Sequence, residues 1–297
     1  MLEVNLPQLF INSVLTGSIY ALVAMGLALT YSILKFANFA HAEFVTFGAY
    51  MAFVINVTLM RSLVWGILAA FILAGFLAIV TDLLFFKQLR KRGATTIPLM
   101  IASIGIGLVI RHSIQEIWGP IVNFYRLETI ETLQFLTATL TDIEAWIIIS
   151  AIAVVFAFHI LLTYTKIGKA MRALSENPTL ALASGINIER LILLVWFIGA
   201  GVAGIAGVLR GADTRLTPMM GWELLLPAFA VIVLGGLGSF YGAILASYIL
   251  GFAENLAVLI FIELSIPTTY RLAVAFAILI IILLFKPTGL MGIKGGK

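Results

Sequence analysis

Long apolar runs, repeated along the chain, decide what this sequence can become. They cover roughly residues 10–34, 44–60, 63–86, 97–118, 145–163, 191–210, 222–237, 241–262 and 270–286. The hydrocarbon core of a bilayer is about 30 Å thick, and a helix needs roughly 20 mainly apolar residues to cross it. Lipid offers no partner to backbone N–H and C=O groups, so spans are helices or closed barrels. These runs are too long for barrel strands. The sequence therefore predicts an all-α polytopic membrane protein. Composition agrees, with 62% hydrophobic and 11% charged residues, against roughly 45–50% and about 25% in soluble domains.

Residues 1–297 read as one transmembrane domain. The polar stretches are too short for a nucleotide-binding module, and the phosphate-cradling pattern G-x-x-x-x-G-K-[ST] is absent from the sequence. Cysteine is absent too, which excludes disulfides and thiolate metal sites. No metal-ligand spacing such as H-E-x-x-H occurs, and no cofactor is expected. The start, MLEVNLPQLF, lacks the basic segment of a cleaved signal peptide.

Charge placement predicts orientation, because short Lys/Arg-rich loops stay in the cytoplasm. Loop 87–94 holds Lys87, Arg90, Lys91 and Arg92, loop 164–190 holds Lys166, Lys169, Arg172 and Arg190, and the tail holds Lys286, Lys294 and Lys297. Loop 119–144 carries Glu128, Glu131, Asp142 and Glu144 against Arg126, and fits outside. The net charge of +4 comes from these basic loops and is not a nucleic-acid signal. Nine crossings are expected, with the N-terminus out and the C-terminus in. Eight is the alternative, because 222–237 is short and 35–43 is either a turn or a meeting of half-helices.

Loop 164–190 is not disordered in composition. Ser175 and Pro178 precede Leu180, Ala181, Leu182 and Ala183, and Gly185 follows as a helix-ending glycine. The pattern predicts a short amphipathic helix, which is either a solvated linker or a docking element for a cytoplasmic partner.

Ionisable groups inside spans are costly and face a protein interior or a wet cavity. In LKFANFAHAEFVTFGAY (34–50), Asn38, His41 and Glu43 either line a path or tie two helix ends together, Asn38 as a cap and Glu43 as an acceptor for helix N–H groups. Arg111, His112 and Glu116 crowd one end of 97–118, where an Arg–Glu pair is expected. Asp82 is expected at an interface near Lys87, His159 as a satisfied histidine, and Glu254 facing the bundle. Gly235, Gly236 and Gly238 permit close approach or positive φ. A weak internal repeat relates 41–55 to 236–250, with Phe47-Gly48-Ala49 matched to Tyr241-Gly242-Ala243. Transporters are often built from two such related halves.

Five segments together resemble the permease subunits of branched-chain amino acid ABC transporters. They are GLALTYSILKFANFAHAEFVTFGAY (26–50), LMIASIGIGLVIR (99–111), RALSENPTLALASGIN (172–187), VLGGLGSFYGAILAS (233–247) and KPTGLMG (286–292). Ala42 stands where that family usually has glycine. The resemblance implies a non-enzymatic importer subunit in the cell membrane. It would work with a second related permease, two cytoplasmic ATP-binding subunits and an extracytoplasmic substrate-binding protein. It also implies that 172–187 couples to the ATPases through Arg172, Glu176, Ala181, Leu182, Ala183 and Gly185. The substrate pathway is expected at Asn38, His41, Glu43, Gly235, Gly236, Gly238 and Ser239. The alternatives are an ABC permease for urea or short amides, and a carrier using Glu43, His41 and Glu254 as a proton relay. A membrane enzyme is a more distant third reading.

Overall fold

The computed structural model describes residues 5–127, 131–135, 137–286 and 288–292. Glu128, Pro287, Lys294 and Lys297 lie outside the described residues. Helix α1 (Leu6–Leu34) is followed by α2 (His41–Phe53), which a π-helical turn prolongs over Val54–Thr58. Helix α3 (Leu63–Thr81) continues through a second π turn, Asp82–Phe86, into α4 (Lys87–Lys91). After α5 (Thr96–Trp118), the strands β1 (Thr132–Phe135) and β2 (Ala138–Thr141) form an antiparallel hairpin with Thr132 opposite Thr141. This hairpin is the exception to an otherwise helical fold. Then come α6 (Asp142–Tyr164), α7 (Lys166–Glu176), α8 (Pro178–Ala183), α9 (Ile188–Asp213), α10 (Met220–Gly235), α11 (Phe240–Glu263) and α12 (Arg271–Phe285).

Among the described residues seven helices are long and apolar enough to cross a membrane. Helices α1 and α9 form the interior, 89% and 67% buried over their most apolar windows, while α12 is only 6% buried there. The exposed helices present Phe76, Ile152, Phe156, Ile280 and Leu284 outward, as lipid-facing surfaces require.

The runs 44–60 and 222–237 do not span by themselves, which decides the open choice at 35–43 for half-helices and accounts for the shortness of 222–237. Helix α2 begins in the middle of the bundle. His41 Nε2–H donates to the Val23 carbonyl at 3.1 Å. At 1.5 Å per residue, Val23 lies about 17 Å back from the end of α1. The link 35–40 therefore runs back along α1 and ends in the turn that starts α2. Lys35 starts it in the left-handed conformation (φ 55°), with its N–H on the Tyr31 carbonyl. Phe36 packs on Phe86, Phe39 packs on Phe229, and the Phe39 N–H bonds Ser103 Oγ at 3.0 Å. Non-helical backbone survives at this depth because protein surrounds it.

Helix α10 mirrors this arrangement from the opposite end. The link 214–219 leaves α9 near the hairpin end, where Leu216 bridges Asn123. The first turn of α10 then meets the first turns of α2, with Gly221 N–H donating to Thr46 Oγ1 at 3.1 Å. The described residues thus make nine passes through the bundle, seven by long helices and two by a link plus a half-helix. The repeat that the sequence suggested, 41–55 with 236–250, is corrected accordingly. The element matching α2 in kind is α10, whereas 236–250 is a turn and the start of the full-length α11. The short Gly-Ala match reflects small residues at helix contacts, which recur throughout membrane bundles.

Such contacts seat α2. A Cβ on Gly48 would strike the backbone of Gly204, and one on Gly221 would strike the Ala42 carbonyl. The close approach at position 42 is thus made possible by Gly221, so alanine suffices there.

Candidate functional site

The central site lies where α2 and α10 begin. Asn38, His41 and Glu43 are each 1% exposed and lie on one short stretch entering α2. Asn38 Oδ1 accepts the Ala40 N–H at 3.1 Å, which steadies the turn into the helix. His41 is spent on the Val23 carbonyl through Nε2, and its Nδ1 has no partner. Glu43 does not accept from helix N–H groups. Its Oε1 takes both Nε, at 3.0 Å, and Nη2 of Arg111 on α5. Arg111 is itself buried, and Trp222 of α10 stacks 4.7 Å from its guanidinium carbon. The Arg–Glu pair expected at Arg111 therefore forms inside the bundle, with Glu43 and not with the neighbouring Glu116. Arg111 reaches across to Glu43, because residue 111 faces the bundle, while His112 bonds Gln115 on the outer face.

The pair ties the half-helix α2 to α5, and the Trp222 ring ties it to α10. A carboxylate in the first turn also suits the positive end of the α2 dipole. Oε2 of Glu43 and Nδ2 of Asn38 remain without partners. Two of the residues that complete this site, Trp222 and Thr46, carried no sequence signal. Arg111 carried one, as a charge inside a run such as LMIASIGIGLVIR, but nothing local named Glu43 as its partner.

Gly235, Gly236, Gly238 and Ser239 lie elsewhere, at the end of the bundle where α1 stops. Gly236 (φ 105°) and Gly238 (φ 83°) turn the chain from α10 into α11, and Ser239 Oγ caps α11 through the Gly242 N–H at 3.1 Å. The tail motif 286–292 seals this turn, since the N–H groups of Leu290 and Met291 bond the carbonyls of Leu234 and Gly235. Those carbonyls end α10 and have no helical partners of their own. Beside the turn, a cavity of about 250 Å³ separates Gly238 and Ser239 from Arg172 and Ser175 of α7.

The 164–190 loop forms two helices, not one. The cap of α8 is Asn177, whose Oδ1 takes the Leu180 N–H at 3.0 Å. Gly185 (φ 80°) ends α8 as expected. Leu180 and Leu182 are 64% and 62% exposed, and Ala183, Arg172 and Glu176 are also exposed. Ala181 turns inward and packs on its own chain. The basic segment 87–92 lies at this same end, joined to the start of α9 by Lys87–Glu189 at 2.9 Å. Asp82 is buried and holds Arg90 of the basic segment by two bonds of 2.7 and 3.1 Å. His159 bonds the Tyr241 hydroxyl, and Glu254 is buried against Tyr20, both as expected.

A many-pass helical bundle whose centre is two half-helices, held by a buried ion pair, is the build of a membrane permease. The chain belongs to the family described as the permease component of branched-chain amino acid transport systems, which matches residues 9–283. It is 33% identical to the Escherichia coli high-affinity branched-chain amino acid transport system permease protein LivH, over 97% of this chain and 95% of that protein. It is 31% identical to the Pseudomonas aeruginosa permease protein BraD, over 96% and 95%. The probable branched-chain amino acid transport permease LivM of Methanocaldococcus jannaschii is 26% identical over 84% of this chain and 76% of its own length. No solved structure matches.

Proposed function

We propose that this chain is the transmembrane permease subunit of an ATP-driven importer for branched-chain or other neutral amino acids. It pairs with a second related permease in the cell membrane, receives substrate from an extracytoplasmic binding protein, and docks cytoplasmic ATPases. The observation that carries this reading is α8, which leaves Leu180 and Leu182 exposed at the end of the bundle that holds the basic loops. A six-residue helix is too short to persist in water without neighbours. Its exposed apolar pair suits the groove of a partner, with Arg172 and Glu176 at the rim. In this reading Arg172, Glu176, Leu182, Ala183 and Gly185 make the coupling surface, and Ala181 anchors it to the bundle. Asn38, His41 and Glu43 shape the entry of α2, and Gly235–Ser239 forms the turn that coupling moves.

A proton relay through Glu43, His41 and Glu254 finds no support in the hydrogen bonds of the described residues. Glu43 is held by Arg111, His41 by Val23, and Glu254 by Tyr20, in three separate bonds. The test is reconstitution of the chain with a partner permease, ATPases and a binding protein in vesicles. ATP-dependent uptake of leucine is expected, and uptake without ATP, driven by a pH gradient alone, would overturn the reading.

A further inference from the structure

A second cavity, of about 530 Å³, opens at the hairpin end and reaches down to the first turn of α10. Its lining combines charges of both signs. Arg210 of α9, Glu223 of α10 and Arg271 of α12 all face it, and Tyr20 of α1 forms part of its wall. Behind Tyr20 lies Glu254, 2% exposed, whose Oε2 takes the Tyr20 hydroxyl at 2.7 Å and whose Oε1 has no partner. Both arginines are within electrostatic reach of Glu254. Arg210 gives Nη1 to Asp213 at 3.1 Å and keeps its other N–H groups. Among the described residues neither Arg271 nor Glu223 forms an ion pair. The remaining lining includes Ile19, Leu224, Val258 and Leu272, and the volume falls in the range of small-molecule sites.

Opposite charges that share a cavity without closing on each other suit a ligand that carries both. Resting on the reading that the cargo is an amino acid, we infer that this cavity is a head-group site in the permease itself. Arg271 and Arg210 receive the α-carboxylate, Glu223 receives the α-ammonium, and the apolar lining takes an aliphatic side chain. Guanidinium forks match carboxylates by paired bonds. A group with only one of the two charges leaves the other half of the site without its partner and forfeits those charge-assisted bonds.

The test uses the assembled importer without its binding protein and measures equilibrium binding of radiolabelled leucine. Saturable binding is expected. Arg271→Gln and Glu223→Gln, both at exposed positions, should each weaken it roughly tenfold or more, with assembly unchanged by size exclusion. The acid 4-methylpentanoate and the amine isopentylamine should fail to compete. Unchanged leucine binding in both variants overturns the site. So does an importer that pumps leucine when given its binding protein but binds none without it. Competition by either single-charge analogue as strong as leucine itself overturns the head-group assignment. A complete importer that pumps no amino acid overturns the reading of the cargo, and this site with it.

Discussion

Glu43 and Arg111 are more valuable as a pair than either is alone. Removing one partner of a buried ion pair leaves an uncompensated charge and costs about 3–5 kcal/mol, whereas replacing both with apolar groups is often neutral. Glu43→Gln should therefore lower the amount of monodisperse permease that survives heating in detergent. Arg111→Met added to it should restore that amount. A Glu43→Gln variant as heat-resistant as the parent would show that the pair does not brace α2. The sequence made Glu43 conspicuous, because a carboxylate inside an apolar run needs a reason. It could not name Arg111 as the partner, since 68 residues separate them and only tertiary packing brings α5 to α2. Trp222 was invisible for a different reason. An aromatic residue in an apolar run is the ordinary state of a membrane helix, and nothing local distinguishes the one that covers a guanidinium.

At the scale of elements, helix periods and glycines carried most of the fold. The nine apolar runs all became helices, and the αL glycine at 185 was legible as a stop. The sequence left 35–43 and 222–237 open between turns, short spans and half-helices, because hydropathy records how greasy a segment is and not the depth at which it starts. The depth of α2 is set by six residues of non-helical link, 35–40, whose stabilising contacts, Phe36 with Phe86 and Phe39 with Phe229, are long-range. The α7–α8 pair was legible as an amphipathic element, though its inner and outer faces were not. Leu182 points out and Ala181 points in. Leu182→Asp should place a charge in the contact with an ATPase, at a cost of several kcal/mol unless relieved. Copurification of the ATPase should fall about tenfold or more, while the permease itself still inserts and purifies. Full copurification with normal substrate-stimulated ATP hydrolysis would mean that coupling runs through another surface.

Across the whole molecule, the acidic loop with its hairpin and the basic loops occupy opposite ends of the bundle, as the charge pattern predicted. The absence of cysteine makes the orientation directly measurable. An impermeant thiol reagent added to intact cells should label Gln134→Cys in the hairpin and leave Ser184→Cys untouched until the membrane is opened. The reverse pattern would invert the assignment. The meeting of α2 and α10 at the centre has an electrical consequence. Each helix start carries about half a positive charge, and Glu43, the carboxylate buried beside both, is already neutralised by Arg111. A small cation drifting in from either side meets two positive poles, and the carboxylate buried between them is already paired, much as half-helix ends exclude cations in water channels. The permease should then be an insulator for ions while it passes larger, charge-balanced cargo. Vesicles containing it should hold a potassium diffusion potential as long as empty vesicles do, and a rapid collapse of that potential would show that the centre leaks.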